Sequence, residues 1–252
     1  MVSNFYYYFK SALTGEECDA IIDLGQYLIK ENKSKGFPTT AVTGGRAEKN
    51  LDNKPSIKEK TMSDIFNEGK TKNDYYVRDS EISWIAYEEK WVYDLIIPFV
   101  RKANNLTGWN FDIDAHEHAQ YTNYYAPGGL YGWHKDGSGD QAAVWRRHIE
   151  GITPRDAKGD VQYPYCLHEH LIGKVRKLSM TINLTNSDDY KGGNLKFDFG
   201  EHTEGKRFHE CTEIRERGSI VIFPSFLPHC VTPVTEGTRT SLVLWANGSP
   251  FK

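Results

Sequence analysis

Hydrophobic and polar residues alternate most cleanly at residues 177–185, KLSMTINLT, where Leu178, Met180, Ile182 and Leu184 oppose Lys177, Ser179, Thr181 and Asn183. A period of two marks a strand with one face buried. GGNLKFDFG (192–200), GSIVIFP (218–224) and RTSLVLWA (239–246) carry the pattern onward, so from about residue 112 the chain reads as short strands separated by turn residues. Earlier segments read differently. TGEE at 14–17 matches a capping box, with Thr14 as N-cap and Glu17 reaching back. The following ECDAIIDLGQYLIK places Cys18, Ile21, Ile22 and Leu28 near one helical face. A second helix is predicted over 84–105, with Pro98 inside it, after a short aromatic strand at the N-terminus and the first helix. Residues 31–74 are polar, Gly/Pro-punctuated and weakly periodic, and are expected to form a long loop acting as a lid. Residues 137–175 read as an irregular insertion between two strands. Helices first and many short strands later predict a mainly β fold, a sandwich or barrel backed by N-terminal helices. No internal repeat or domain boundary interrupts the chain. Residues 1–252 are therefore expected to form one domain, with 1–110 as helical support and lid loop and 111–252 as the β core.

Composition narrows the class. The 252 residues include 38% hydrophobic and 26% charged residues, enough for a sizeable buried core. A net charge of −3 gives no electrostatic footprint for nucleic acid or an anionic membrane. The four cysteines (Cys18, Cys166, Cys211, Cys230) form no CxxC and no framework spacing, which fits reduced thiols. No apolar run approaches membrane-spanning length and the N-terminus lacks an apolar signal region. The cytoplasm is the expected compartment, that of the host cell if the chain is virally encoded. Nothing in the pattern sets an oligomeric state.

The candidate chemistry lies in YGWHKDGSGD, residues 131–140. In an extended strand His134 and Asp136 project to the same side, giving two-thirds of a metal site. The triplet alone is weak evidence. A third ligand is offered by His229, just after an apolar strand and a proline-bounded turn. Two histidines and one carboxylate on one face of a metal form the facial triad of non-heme Fe(II) oxygenases, which leaves positions open for cosubstrate and dioxygen. A structural zinc site would want a closed shell, usually with thiolates. Ten residues beyond His229, Arg239 sits in a strand where its fork suits a carboxylate, and Ser241 shares its strand face. Two HEH triplets, 116–118 and 168–170, compete for metal but have no downstream arginine at useful spacing, and are read as solvated or structural histidines. Asp188 and Asp189 read as a turn before Gly192 and Gly193 rather than a catalytic carboxylate pair.

YYAPGGLYGWHKD (124–136), RKLSMTINLTNSDDYKGGNLKF (176–197) and FPSFLPHCVTPVTEGTRTSLVLW (223–245) resemble the 2-oxoglutarate/Fe(II)-dependent dioxygenases of the prolyl 4-hydroxylase type, especially their compact microbial and phage-encoded branch. The resemblance covers roughly residues 78–250. It implies a double-stranded β-helix (jelly-roll) core, iron on His134, Asp136 and His229, and 2-oxoglutarate chelating that iron with its C5 carboxylate on Arg239. It implies O2 as second cosubstrate, ascorbate as reductant, and Tyr125 as the tyrosine lining the cosubstrate pocket. Halogenating relatives lose the ligand carboxylate, whereas Asp136 is present. Nucleic-acid demethylases carry a second arginine six residues after the first, where this chain has Trp245. Peptidyl-proline hydroxylases carry a tyrosine, an arginine and a tryptophan where this chain has Tyr131, Arg176 and Trp245. Tyr131 and Trp245 would then flank a pyrrolidine ring, with Arg176 bonding the substrate's backbone carbonyl. The resemblance thus implies hydroxylation of a prolyl residue in a peptide or protein partner, with succinate and CO2 as coproducts and no nucleic-acid or membrane partner. Two alternatives stand beside it: a hydroxylase of a free amino acid or other small molecule, and a non-catalytic metal-binding jelly-roll module.

Overall fold

A computed structural model describes residues 4–41, 78–137, 144–155, 164–200 and 207–251. Its strands are β1 (Tyr7–Phe9), β2 (Arg78–Asp79), β3 (Glu81–Ile85), β4 (Ala115–His116), β5 (Ala119–Tyr125), β6 (Leu130–His134), β7 (Arg146–Arg147), β8 (Tyr165–Cys166), β9 (Val175–Asn183), β10 (Tyr190–Gly192), β11 (Leu195–Asp198), β12 (Phe208–Glu210), β13 (Ile220–Pro224), β14 (His229–Val231) and β15 (Val234–Gly248). Its helices are α1 (Gly15–Ser34) and α2 (Lys90–Leu106). The major sheet runs β1-β13-β9-β15-β5-β3, with β4 and β10 also paired to β15; the minor sheet runs β12-β11-β14-β6-β2. Every pairing within these two sheets is antiparallel. This is the expected mainly β, double-stranded β-helix core, backed among the described residues by two α-helices.

The alternation of β9 and β15 decides what faces what. Met180, Ile182, Leu242 and Leu244 turn outward and are buried with Ile21, Ile96 and Val100 of the helices. The opposite face turns toward the minor sheet, where Val221 and Phe223 of β13 pack with Leu195 and Phe197 of β11. Helix α1 starts at the expected capping box, the Glu17 amide donating to Thr14 Oγ1 at 3.2 Å and the Thr14 amide to Glu17 Oε2 at 2.7 Å. Its buried stripe is Cys18, Ile21, Gly25 and Ile29, with Ile22 and Leu28 packed at its edge. Gly25 permits that close packing: a Cβ there would lie 2.3 Å from the Tyr121 ring.

Three expectations are corrected. The second helix begins at Lys90, not 84, because Glu81–Ile85 pairs with β5 and alternates, Ser83 and Ile85 buried and Trp84 exposed. The segment 31–74 is not loop from its start: α1 continues to Ser34, and Thr39 and Ala41 bond back to the β2–β3 edge at Ile82 and Ser80. Residues 42–74 of the expected lid lie outside the described residues. The β core does not begin at 111, since β1 edges the major sheet and β2 and β3 edge one sheet each. Within the 137–175 insertion, the described residues form a short parallel β7–β8 pair and one 3-10 turn at Glu169–Leu171.

Candidate active site

Antiparallel pairing of β6 with β14 sets His229 directly across from His134. Asp136 follows two residues past the end of β6, and one ligand atom from each of His134, Asp136 and His229 lies within 4.8 Å of the others. No other such group of three occurs among the described residues. His134 Nε2 is 3.4 Å from Asp136 Oδ1, and His229 Nε2 is 3.5 Å from Asp136 Oδ2. The three side chains are only 6–8% exposed.

Both imidazoles are oriented from behind. Each uses Nδ1 against a carbonyl two residues earlier, Gly132 O at 2.8 Å for His134 and Leu227 O at 3.0 Å for His229. With Nδ1–H donating there, Nε2 carries the lone pair and points at the shared point, the tautomer a metal needs. Burial, then the neighbouring His134, pushes His229 down to about 4, so it is neutral near pH 7. Burial alone would push the Asp136 carboxyl up, but His229 and His134 together outweigh it and hold Asp136 well below the usual carboxylate range. Two imidazoles and one anionic carboxylate suit a divalent cation with open positions.

Arg239 lies on the inward face of β15, across from Tyr124 of β5, with its guanidinium carbon 5.5 Å from the Tyr124 ring centre. It is 1% exposed, and its Nε and Nη2 have no hydrogen-bond partner. A buried cation with idle donors is costly unless a ligand satisfies it. Gly193 makes room for it: a Cβ there would lie 2.8 Å from Arg239 Cδ. An interior of this kind fits the distal carboxylate of 2-oxoglutarate, and the imidazole-carboxylate trio fits Fe(II). Ser241 shares the inward face and is equally buried.

Tyr125 does not join them, which corrects the expectation that it lines the cosubstrate pocket. Strand alternation turns it outward with its partner Thr238, where its hydroxyl donates to Glu81 Oε2 at 2.7 Å. There it lines a cavity of about 650 Å³ between α1 and the major sheet. The inward tyrosine is Tyr124, buried with Tyr190, Val231 and Val234.

The remaining predicted residues gather near the His134–Asp136–His229 trio. Tyr131 stacks on His134 with centroids 3.5 Å apart, and the Arg78 guanidinium covers it at 4.5 Å. Arg176 lies 4.1 Å from the Trp245 ring centre. Its placement depends on a bulge: Ala246 pairs with Leu178 but Asn247 pairs with Arg176, leaving Lys177 as the extra residue. Plain alternation from Leu178 would have turned Arg176 to the helix side; the bulge turns it inward. Glu117, which the histidine reading of HEH passed over, grips Arg176 through both carboxylate oxygens at 2.6 and 2.5 Å. Trp84 packs on Trp245 at 6.0 Å, another contact outside the sequence reading. The two HEH triplets meet around Tyr87, with His116, His118, His168 and His170 centroids 4.0–5.7 Å from its ring.

A family model described as the 2OG-Fe(II) oxygenase superfamily matches residues 119–247. Among curated proteins, a PKHD-type hydroxylase of Rippkaea orientalis is 41% identical over 68 residues, 27% of this chain and 28% of that protein. Another from Klebsiella pneumoniae is 29% identical over 127 residues, 49% of this chain and 40% of that protein. The chain spans less than half the length of these curated relatives. Among solved structures, the viral collagen prolyl hydroxylase of Paramecium bursaria Chlorella virus-1 aligns with TM-score 0.55 at 16% identity, covering 98% of this chain and 97% of that one. A Pseudomonas putida prolyl-4-hydroxylase aligns with TM-score 0.55 at 14% identity, covering 99% and 95%. A prolyl hydroxylase from Trichoplax adhaerens, in complex with a hypoxia inducible factor peptide fragment, aligns with TM-score 0.53 at 16% identity, covering 98% and 84%. At these identities the likeness to solved structures establishes the fold.

Proposed function

The chain belongs to the 2OG-Fe(II) oxygenase superfamily, and from that premise we propose that it hydroxylates a prolyl residue in a peptide or protein, releasing succinate and CO2. The observation that carries this reading is the pairing of a buried His134–Asp136–His229 trio with a buried arginine whose donors are idle. Iron, when bound, supplies open coordination positions and the redox chemistry that couples decarboxylation of 2-oxoglutarate to oxygen insertion. The protein's part is positional. His134, Asp136 and His229 hold the metal from one side, their rings locked by the Gly132 and Leu227 carbonyls. Arg239 receives the C5 carboxylate in a site where a charge-assisted pair is strong because water is excluded, and Ser241 supplies a hydroxyl on the same face. Tyr131 and Trp245 flank the pyrrolidine ring. Ascorbate serves as reductant.

Peptidyl proline is favoured as substrate by two observations. Curated relatives carry the name PKHD-type hydroxylase, and structural neighbours of this fold are prolyl hydroxylases, one of them holding a peptide. Residues 1–252 work as one catalytic domain in this reading. The four free thiols support a cytoplasmic compartment in this reading. The test is succinate release with Fe(II) and 2-oxoglutarate, measured with proline-containing peptides and with free proline. Peptide-stimulated succinate and a peptide mass gain of one oxygen are expected. Stimulation by free amino acids alone would move the substrate to a small molecule, and no succinate under any condition would leave a non-catalytic metal-binding module.

A further inference from the structure

We propose that Arg176 and Glu117 are positioning residues for the metal ligand Asp136, rather than a direct contact to the substrate's backbone. This rests on the reading of His134, Asp136 and His229 as iron ligands. The three ligands are not equally supported. His134 and His229 sit in paired strands, where the β6–β14 ladder fixes their backbones. Asp136 lies beyond the end of β6 and has no ladder partner. Its backbone is pinned by other means: the Asp136 and Gly137 amides both donate to Ser225 O at 3.0 Å, and the Asp136 carbonyl accepts from Arg176 Nη1 at 3.0 Å. Remove the arginine and one side of that peptide loses its anchor.

Arg176 is itself held in a fixed pose. Its Nε and Nη2 donate to the two oxygens of Glu117, and Nη1 is the donor to Asp136. Glu117 is 6% exposed and also accepts from Asn247 Nδ2 at 3.3 Å, from the residue that pairs with Arg176 across the bulge. Trp245 covers the guanidinium plane. A planar fork bound bidentately on one edge and stacked on its face has one orientation, which lysine cannot reproduce. The β9–β15 bulge, Glu117 and Trp245 therefore deliver one N–H to the carbonyl of a metal ligand. Losing an outer contact that orients a metal ligand typically costs about 10–100-fold in metal affinity or activity.

The experiment separates the two roles of Arg176. Mn(II) affinity is measured by calorimetry under anaerobic conditions for wild type, Glu117→Gln, Arg176→Lys, the double variant and Asp136→Ala, with thermal melts to establish that each is folded. Peptide KM and kcat are measured at saturating Fe(II). Positioning predicts that Glu117→Gln and Arg176→Lys each weaken Mn(II) binding by roughly 10–100-fold. The double variant should be no weaker than the worse single, because both act through one contact. Restored metal occupancy should return peptide KM to the wild-type value in Glu117→Gln. Unchanged Mn(II) affinity with a raised peptide KM in the Arg176 variant would overturn the proposal and make Arg176 a substrate contact. If Asp136→Ala binds Mn(II) as wild type does, the ligand reading beneath the proposal falls first, a result that the Glu117 and Arg176 variants alone would not give. Glu117→Gln keeps the shape and one acceptor, so it decides the question even if the arginine variant unfolds.

Discussion

Replacing Arg239 with methionine should produce two opposite effects from one substitution. In the protein alone, the guanidinium is 1% exposed with Nε and Nη2 unpartnered. A buried donor left unsatisfied costs about 1–3 kcal/mol, more when charged. Methionine removes that cost while keeping an unbranched chain of similar length, so the metal-free and cosubstrate-free variant should be more stable than wild type. For a chain of this size each kcal/mol corresponds to about 2–4 °C in Tm, and a rise of several degrees is expected. With cosubstrate the sign reverses. Losing one partner of a buried, hydrogen-bonded charge pair costs about 3–5 kcal/mol. At about 1.4 kcal/mol per tenfold, that is a loss of roughly two to three and a half orders of magnitude in 2-oxoglutarate affinity. The assay is a thermal melt with Mn(II) in place of iron, over a 2-oxoglutarate titration. Wild type should gain about 2.7 kcal/mol of stability at a hundredfold excess over its Kd, and Arg239→Met should gain no more than about 0.4 kcal/mol at the same concentrations. A variant that binds 2-oxoglutarate as wild type does would place the cosubstrate carboxylate elsewhere. A well-folded variant that is less stable than wild type without ligand would show that the guanidinium is satisfied in solution, against the reasoning above.

Gly25→Ala should destabilise the fold by about 1–3 kcal/mol despite the better helix propensity of alanine, because the new methyl meets the Tyr121 ring at 2.3 Å; a denaturant melt at or above the wild-type midpoint would contradict the helix–sheet packing. Tyr124→Phe and Tyr125→Phe should separate cleanly: the first alters the surroundings of Arg239 and shifts the 2-oxoglutarate Kd, the second removes the hydroxyl's bonds with Glu81 and Asn123 on the outer face, and calorimetry giving the reverse order would invert the assigned strand faces. His134→Ala and His229→Ala should each abolish Mn(II) binding and succinate formation while far-UV dichroism stays native, since losing one of three ligands empties an open site; full metal occupancy in either would remove it from the ligand set.

The candidate metal trio and Arg239 were legible from residue spacing and from the resemblance, although Asp136 itself lies past the end of β6. His134 and Asp136 share a face two residues apart, and Arg239 and Ser241 do the same on β15. The tyrosine assignment failed by one residue for the same reason. AQYTNYY places tyrosines on both faces of β5, and only the pairing of Tyr124 with Arg239 shows which one turns inward. Arg176 was reachable through resemblance but not through periodicity, since the bulge at Lys177 reverses the parity that KLSMTINLT establishes. Glu117 was hidden between two histidines, and its partner lies 59 residues away across two strands. The start of the second helix was misplaced because EISWI is too short an apolar run for periodicity to separate strand from helix.

The central claim, a prolyl-hydroxylating 2-oxoglutarate oxygenase, is tested most directly by turnover under isotopically labelled dioxygen with a proline-containing peptide, followed by mass spectrometry of both products. The account predicts one labelled oxygen in succinate and one on a prolyl residue of the peptide, both lost in His229→Ala. Labelled succinate with an unlabelled peptide, across peptides and at saturating iron, would contradict the peptidyl-proline assignment, and absence of labelled succinate would contradict oxygenase activity altogether.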